Sequence, residues 1–165
     1  MPQPLRDPDI SLSLDLLSWE EPEPTKYRWM NSSGGGWAPM GSWIFLERLV
    51  SMVGTGVGWN FLIVERISEP GHPYPSWFAQ CLGSNRALAV ELGWHPSEGV
   101  ENLWRIGIVG GASRPLFNIH SDPDLRLMVE PKQGLSPLSI PLTVMIDWLA
   151  DGEIAAGFVR ERLRY

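Results

Sequence analysis

The stretch SWFAQCLGSNRALAVEL, residues 76–92, decides the predicted fold because it has the pattern of two strands joined by a tight turn. Its segments SWFAQCL (76–82) and RALAVEL (86–92) are largely apolar runs of strand length. Between them, GSN supplies a glycine and two turn-forming residues, which suit a short hairpin. The stretch therefore predicts two antiparallel strands.

Further predicted strands flank this hairpin in the sequence. WNFLIVERI (59–67) is a run of apolar and β-branched residues, and with the hairpin it predicts three adjacent antiparallel strands. DLRLMVE (124–130) alternates and predicts another strand, whereas NLWRIGIV (102–109) fits a strand or a helix. ISLSLDL (10–16) alternates with period two and predicts a strand, although the leucine after it also permits a short helix.

Two segments have the apolar stripe and the end signals of helices. In SWIFLERLVSMVG (42–54), Ser42 is a suitable N-cap and Gly54 lies where helices commonly stop. In SIPLTVMIDWLADG (139–152), a proline lies at the helix start and Gly152 at the C-terminal stop. These segments complete a predicted α+β fold, in which a single mainly antiparallel sheet is packed by about two helices.

The predicted domain organisation follows from length and composition. A chain of 165 residues corresponds to about one domain. EEPEP (20–24) contains two prolines, and NSSGGGWAPMG (31–41) has loop composition throughout. We therefore predict a loop-rich N-terminal segment over 1–41, which includes the first strand candidate, and an α+β core over 42–165, as one domain overall.

Three glycines alternate in GTGVGWN (54–60), which raises the question of a phosphate-binding loop. Such loops place their glycines after a strand and at the N-terminus of a helix, where backbone N–H groups and the helix dipole attract an anion. Here the glycines follow a predicted helix and precede a predicted strand. We interpret the segment as a helix end and a tight turn, and we predict no nucleotide or other cofactor.

Metal sites and catalytic triads leave recognisable patterns of histidine and its partners. His72, His95 and His120 are far apart and form no spacing typical of a metal site. His120, Ser121 and Asp122 have the residue types of a hydrolase triad, but neighbours in sequence rarely have triad geometry. We interpret these three residues as part of a turn, and we predict no metal site.

Cys81 and a pair of carboxylates are the remaining candidates for catalysis. Cys81 lies within an apolar strand pattern, where a thiol is usually a small buried hydrophobic group. Glu65 and Glu91 end two predicted neighbouring strands, and they fit either a facing pair of the glycosidase type or two solvated strand ends. The solvated alternative is favoured because Arg66 directly follows Glu65. We therefore predict that the protein is not an enzyme.

Charge and cysteine content limit the partners and the compartment. The chain has 19 acidic and 13 basic residues, and its net charge of −6 repels nucleic acid and anionic membranes but attracts a basic partner. No apolar run reaches the ~18 residues that span a bilayer, and the N-terminus lacks a secretory-signal pattern. A single cysteine excludes an internal disulfide. We expect a cytoplasmic protein that binds neither nucleic acid nor membrane.

Tryptophan is unusually frequent, with nine residues in the chain. Trp29 and Trp37 lie in or beside a polar, glycine-rich loop, and they fit either a partner contact or a satellite core. Together with the acidic segment EEPEP, they predict a protein-binding surface. Four tryptophans in regular elements are predicted core residues: Trp43, Trp59, Trp77 and Trp148.

Three segments carry a resemblance to a known class of proteins. WNFLIVERI (59–67), WFAQCLGSNRALAVEL (77–92) and IPLTVMIDWLADGEI (140–154) together resemble bacterial immunity proteins of polymorphic toxin systems, of the type found beside deaminase toxins in actinobacteria. The resemblance extends over about residues 42–158. It implies a small α+β fold with an acidic surface and no catalytic site.

A second resemblance implies a different task for a protein of similar size and charge. The strands that contain Gln80 and VELGW (90–94) are similar to actinobacterial domains related to type III secretion chaperones, which escort an effector. From the first resemblance we expect an immunity protein that blocks the active site of a cognate, basic toxin. Its carboxylates would mimic the phosphates of a nucleic-acid substrate, while aromatic side chains supply affinity. The expected partner-binding residues are Glu20, Glu21, Glu23, Trp29, Trp37, Asp122 and Asp124.

Overall fold

The structure, a computed structural model, describes residue 22 and the ranges 26–55, 59–67, 77–84, 87–97, 100–119 and 127–164. Within these residues the chain forms nine strands, two α-helices and one 3₁₀ turn. In chain order they are β1 (Tyr27–Asn31), β2 (Ala38–Pro39), α1 (Trp43–Ser51), β3 (Phe61–Arg66), β4 (Trp77–Ser84), β5 (Ala87–Ser97), β6 (Val100–Ile108), β7 (Phe117–Asn118), β8 (Met128–Val129), the 3₁₀ turn (Pro131–Gln133), α2 (Ser139–Asp151) and β9 (Phe158–Arg162).

Seven of the described strands form one antiparallel sheet in the order β2-β1-β3-β4-β5-β6-β9. The predicted hairpin is at its centre: Cys81 of β4 lies opposite Val90 of β5, and the strands extend to Ser84 and Ser97. β7 and β8 form a separate short ribbon, which adds a small second sheet to the single predicted one. The predicted α+β fold, with an antiparallel sheet and two helices, is confirmed for the described residues.

The helices pack on one side of the sheet, which we call the helix face. Its centre is a row of fully buried side chains from β3, β4 and β5, namely Val64, Ala79 and Leu92. α2 lies over β4 and β5. The indole of Trp148 donates a hydrogen bond to the carbonyl oxygen of Phe78 at 3.0 Å, which fixes α2 against β4.

α1 has the predicted N-cap, but its C-cap is Met52 and not the predicted Gly54, whereas α2 ends at Gly152 as predicted. The Ser42 hydroxyl accepts a hydrogen bond from the Phe45 backbone N–H at 3.0 Å and caps α1. Gly152 has a φ of 68°, and its N–H donates to the Trp148 carbonyl oxygen at 2.8 Å after the last turn of α2. α1 is shorter than predicted, since it ends at Ser51.

Gly54 makes the turn that follows α1. Its φ is 71°, in the left-handed region, and its N–H donates to the Trp59 carbonyl oxygen at 2.7 Å. The interpretation of this glycine as part of a turn at a helix end is confirmed. A Cβ here would lie 2.1 Å from the carbonyl oxygen of Gly83 in β4, so the close approach of turn and strand requires glycine.

Replacing Gly54 by alanine should destabilise the fold more than replacing Gly110 by alanine. Gly110 has a similar φ of 75°, but nothing lies within 4 Å of its Cβ position. The left-handed conformation alone costs alanine about 1–2 kcal/mol, and overpacking at Gly54 should add roughly 1–3 kcal/mol. Urea unfolding of both variants measures the difference, and equal losses would contradict the close approach.

Several strands differ from the sequence-based prediction, because their existence and bounds depend on the strands with which they pair. β1 and β2 lie within the segment 1–41, which was expected to be loop-rich. NLWRIGIV, which fitted a strand or a helix, belongs to β6 because it pairs with β5 and with β9. Of the predicted strand 124–130, Met128 and Val129 pair with β7. The strand predicted at 10–16 lies outside the described residues.

Cys81 is completely buried on the helix face. Because burial disfavours the thiolate, it raises the pKa of the Cys81 thiol to about 12. The prediction that Cys81 is a small buried hydrophobic group is confirmed.

The free energy of unfolding should fall as pH rises above about 9, the ordinary pKa range of a thiol. The unfolded chain then loses the thiol proton, whereas the folded protein retains it up to a pKa of about 12. Urea unfolding at several pH values between about 8 and 10 should show a smaller decline for Cys81→Ala. Identical declines in the two proteins would contradict this origin of the pH dependence.

Candidate functional site

The side of the sheet opposite the helices carries the polar groups of interest, and we call it the second face. Because side chains alternate along a strand, the register places one residue from each of five neighbouring strands in a row. The row runs through Ile63, Gln80, Glu91, Arg105 and Glu161. It is apolar towards β1 and polar from β4 to β9.

A buried ion pair lies at the centre of this row. Glu91 is only 3% exposed, and Arg105 donates through Nη2 to its Oε1 at 2.7 Å. Gln80 donates through Nε2 to the other oxygen, Oε2. Each carboxylate oxygen therefore has a donor, as a buried charge requires. The contacts connect the side chains of β4, β5 and β6.

The polar row continues to the edge of the sheet. Gln133 of the 3₁₀ turn is buried, and its Nε2 donates to Oε2 of Glu161 at 3.0 Å. Ile119, which follows β7, and Val129 of β8 pack against Ala89 of β5. The chain between β6 and α2 therefore covers part of the second face.

The structure corrects the predicted placement of Glu65 and Glu91. They do not end neighbouring strands, because β4 lies between β3 and β5. Glu65 pairs with Arg28, whereas Glu91 pairs with Arg105. The alternative of a solvated strand end is also wrong for Glu91, because β5 continues beyond it and the side chain is buried.

Sequence reasoning did not identify Arg28 and Arg105 as partners of these carboxylates. Each arginine lies between aromatic or apolar residues within a strand, in YRWM (27–30) and LWRIG (103–107). A charge in such a position signals a paired side chain, since arginine is rarely buried alone. Which carboxylate each arginine pairs with depends on the order of the strands in the sheet, and the sequence pattern does not reveal that order.

Trp37 is a surface residue held in place by charged neighbours. Its side chain is 39% exposed, and the Arg28 guanidinium lies 4.5 Å from the centroid of its ring. This geometry is a cation–π contact. Oε2 of Glu65 accepts from Nε of the same guanidinium at 2.8 Å and lies 2.7 Å from its Nη2. Arg28, which is itself held by Glu65, therefore fixes the position of the Trp37 ring.

Apolar side chains of β1 and β3 lie on the same face of the sheet as Trp37. Met30 and Ile63 lie opposite each other on β1 and β3 and are half-buried. Phe61 of β3 is 38% exposed. Exposed apolar surface of this kind marks interaction sites when it is contiguous. We define the Trp37 patch as Arg28, Met30, Trp37, Phe61 and Ile63.

Trp29 does not lie beside Trp37. It pairs with Ala38, the residue after Trp37, and therefore points to the helix face. Its ring contacts Phe45 edge-on at a centroid distance of 5.8 Å and lies 6.0 Å from the ring of Trp59. Trp29 thus packs as a partly buried side chain against the main core between the helices and the sheet.

The acidic candidates Glu20, Glu21, Glu23, Asp122 and Asp124 lie outside the described residues. The described residues are close to charge balance, with nine acidic and ten basic residues. Residues 1–25, in contrast, contain six acidic residues and one basic residue. The acidic excess of the chain is therefore concentrated outside the described core.

Metal binding and membrane crossing both require particular arrangements of residues, which can be judged for the described part of the chain. No group of three or more histidine, cysteine, aspartate or glutamate side chains there is arranged to hold a metal ion. No helix among the described residues is long and apolar enough to cross a membrane. His72 and His120 lie outside these residues.

Comparison of the chain with known protein families, with curated proteins and with solved structures finds no match.

Removing one partner of the buried ion pair should destabilise the protein more than removing both. Arg105→Leu leaves the Glu91 carboxylate buried without its cation, at a cost of about 3–5 kcal/mol. The double variant Glu91→Leu, Arg105→Leu should recover roughly half of that loss or more, since apolar side chains can replace a buried pair. Urea unfolding of both single variants and the double variant measures the coupling. A double variant whose loss of unfolding free energy equals the sum of the two single losses would contradict this coupling.

Proposed function

We propose that this protein is an immunity protein, which binds a cognate bacterial toxin domain and blocks its active site. The observation that carries the proposal is the Trp37 patch, in which a half-exposed tryptophan is stacked on an ion-paired arginine. Tryptophan and arginine are among the residues most enriched at binding hot spots. The patch therefore has the composition of a protein-binding surface.

The geometry of the patch favours tight binding because the aromatic ring is already held in place. Arg28 restrains the ring of Trp37, and Glu65 on the neighbouring strand restrains Arg28. A partner that covers the ring then has less side-chain entropy to remove on binding. Phe61 and Ile63 extend the apolar surface from which water is excluded when the partner docks.

The chain connectivity keeps acidic residues near this patch. Glu23 is five residues before Arg28, so the two Cα atoms lie within about 17 Å of each other in any conformation. Glu21 and Glu20 lie two and three residues before Glu23. Carboxylates at this distance can steer a basic toxin domain towards the Trp37 patch and occupy the site of its anionic substrate.

The toxin would be met in the cytoplasm, and we propose that compartment for the protein. Binding through the same patch would also suit a secretion chaperone, which escorts an effector and leaves its activity intact. The two functions differ in the activity of the bound partner.

Trp37→Ala should weaken the complex mainly by speeding dissociation. We expect an off-rate about 10- to 100-fold higher, which corresponds to the loss of an aromatic anchor. Trp94→Ala is the matched control, because Trp94 is similarly exposed, at 38%, but lies opposite Trp77 on the helix face. The measurement is surface-binding kinetics with a candidate toxin domain taken from an adjoining gene.

Rescue of cells from that toxin provides the functional readout. The unaltered protein and Trp94→Ala should restore growth, whereas Trp37→Ala should not do so at equal expression. A complex that forms but leaves the toxin active would reject immunity and favour the chaperone. Equal off-rates for the two tryptophan variants would remove the Trp37 patch from the interface.

A further inference from the structure

β9 lies at one end of the main sheet, and no described strand pairs with its outer edge. The Leu163 N–H donates to the Leu103 carbonyl oxygen at 2.8 Å, and the Val109 N–H donates to the Gly157 carbonyl oxygen at 2.9 Å. Because peptide groups alternate in direction along a strand, the odd-numbered residues of β9 bond to β6. The N–H and C=O groups that point outward are those of Phe158, Arg160 and Arg162.

Two of these outward-facing residues carry arginine side chains in defined positions. The Arg160 guanidinium lies 5.0 Å from the centroid of a Trp104 ring, and Nη2 of Arg162 donates to Oδ1 of Asn102 at 3.2 Å. Neither contact neutralises the positive charge. The edge therefore presents two cations, two residues apart, beside a row of backbone donors and acceptors.

A cleft lies beside the first residue of β9. It has a volume of about 390 Å³ and is open to solvent. Trp148 at the end of α2 and Ile154 form apolar walls with Phe158, and Arg160 also lines the cleft. The cleft suits one apolar side chain of a strand that lies along β9.

We propose that the outer edge of β9 binds an extended acidic segment of a partner protein, which adds a strand to the sheet. Antiparallel addition continues the arrangement of the described sheet, and its backbone hydrogen bonds supply affinity. A partner in that direction passes Arg162 first, then Arg160, then the cleft. The segment that fits has two carboxylates at alternate positions and an apolar side chain two residues after the second.

A second copy of β9 is a poorer occupant of this edge. Antiparallel pairing of two copies centred on Arg160 or on Glu161 places arginines opposite each other, and like charges in that position are destabilising. Charged side chains on an edge strand also hinder indiscriminate strand addition. The edge thus selects a partner of opposite charge.

The edge is separate from the Trp37 patch, so the inference goes beyond the proposed function. β9 and β2 are the two end strands of the described sheet, roughly 29 Å apart at about 4.8 Å per strand spacing. Peptide binding at β9 requires no toxin. Failure of either proposal therefore leaves the other standing.

The test uses the full chain and the capped peptide TETETLT, which has the expected pattern, in a calorimetric titration at low salt. The double variant Arg160→Gln, Arg162→Gln should bind about tenfold more weakly, because two charge contacts are lost. The matched control is Arg48→Gln, Arg114→Gln, which lowers the charge equally at exposed sites outside β9. It should change the affinity by less than about twofold. The charge-reversed peptide TKTKTLT should not bind.

Hydrogen exchange distinguishes strand addition from simple charge attraction. Bound peptide should slow exchange of the Arg160 and Arg162 amides about tenfold or more, while Val159 and Glu161, which face β6, change little. Absence of peptide binding, equal loss in both double variants, or unchanged exchange at Arg160 would overturn the proposal. Dimerisation through β9, or tighter binding of a peptide from residues 7–16, would overturn it by assigning the edge to this chain itself.

Discussion

The register of the β4–β5 hairpin is the constraint on which the other features depend. With Cys81 opposite Val90, the two strands present one apolar side to α2 and place Gln80 beside Glu91 on the other side. A shift of one strand by a single residue would exchange its faces and bury Glu91 beneath the helix. The pairing of β6 with β5 continues this register and brings Arg105 into contact with Glu91 on the second face.

Arginine and tryptophan act together at several positions of the described sheet. A guanidinium lies over an indole ring in the pairs Arg28–Trp37, Arg66–Trp77 and Arg160–Trp104. The planar guanidinium of arginine stacks on an aromatic face in a way that the compact ammonium group of lysine does not. The Arg28–Trp37 and Arg160–Trp104 stacks hold rings and cations at set positions towards the edges of the sheet, where neighbouring strands offer less support. The abundance of both residue types thereby has a structural use.

Charge is distributed unevenly between the described core and the rest of the chain. The described residues are nearly balanced, whereas residues 1–25 hold six carboxylates and one arginine. A near-neutral core can offer an apolar patch and a basic edge without strong repulsion between them. The acidic residues then contribute long-range attraction to a basic partner, which screening by salt weakens.

The sequence by itself determined the elements whose signals are local: the central hairpin, both helices and the glycine turn at Gly54. It also determined that Cys81 is buried, because this residue lies within a largely apolar strand segment. Only the tertiary structure decided that β1 and β9 are strands, because these segments owe their conformation to pairing with β3 and β6. It likewise separated Trp29 from Trp37 and joined Glu91 to Arg105. These outcomes depend on strand order and register, which arise from contacts between residues far apart in the chain.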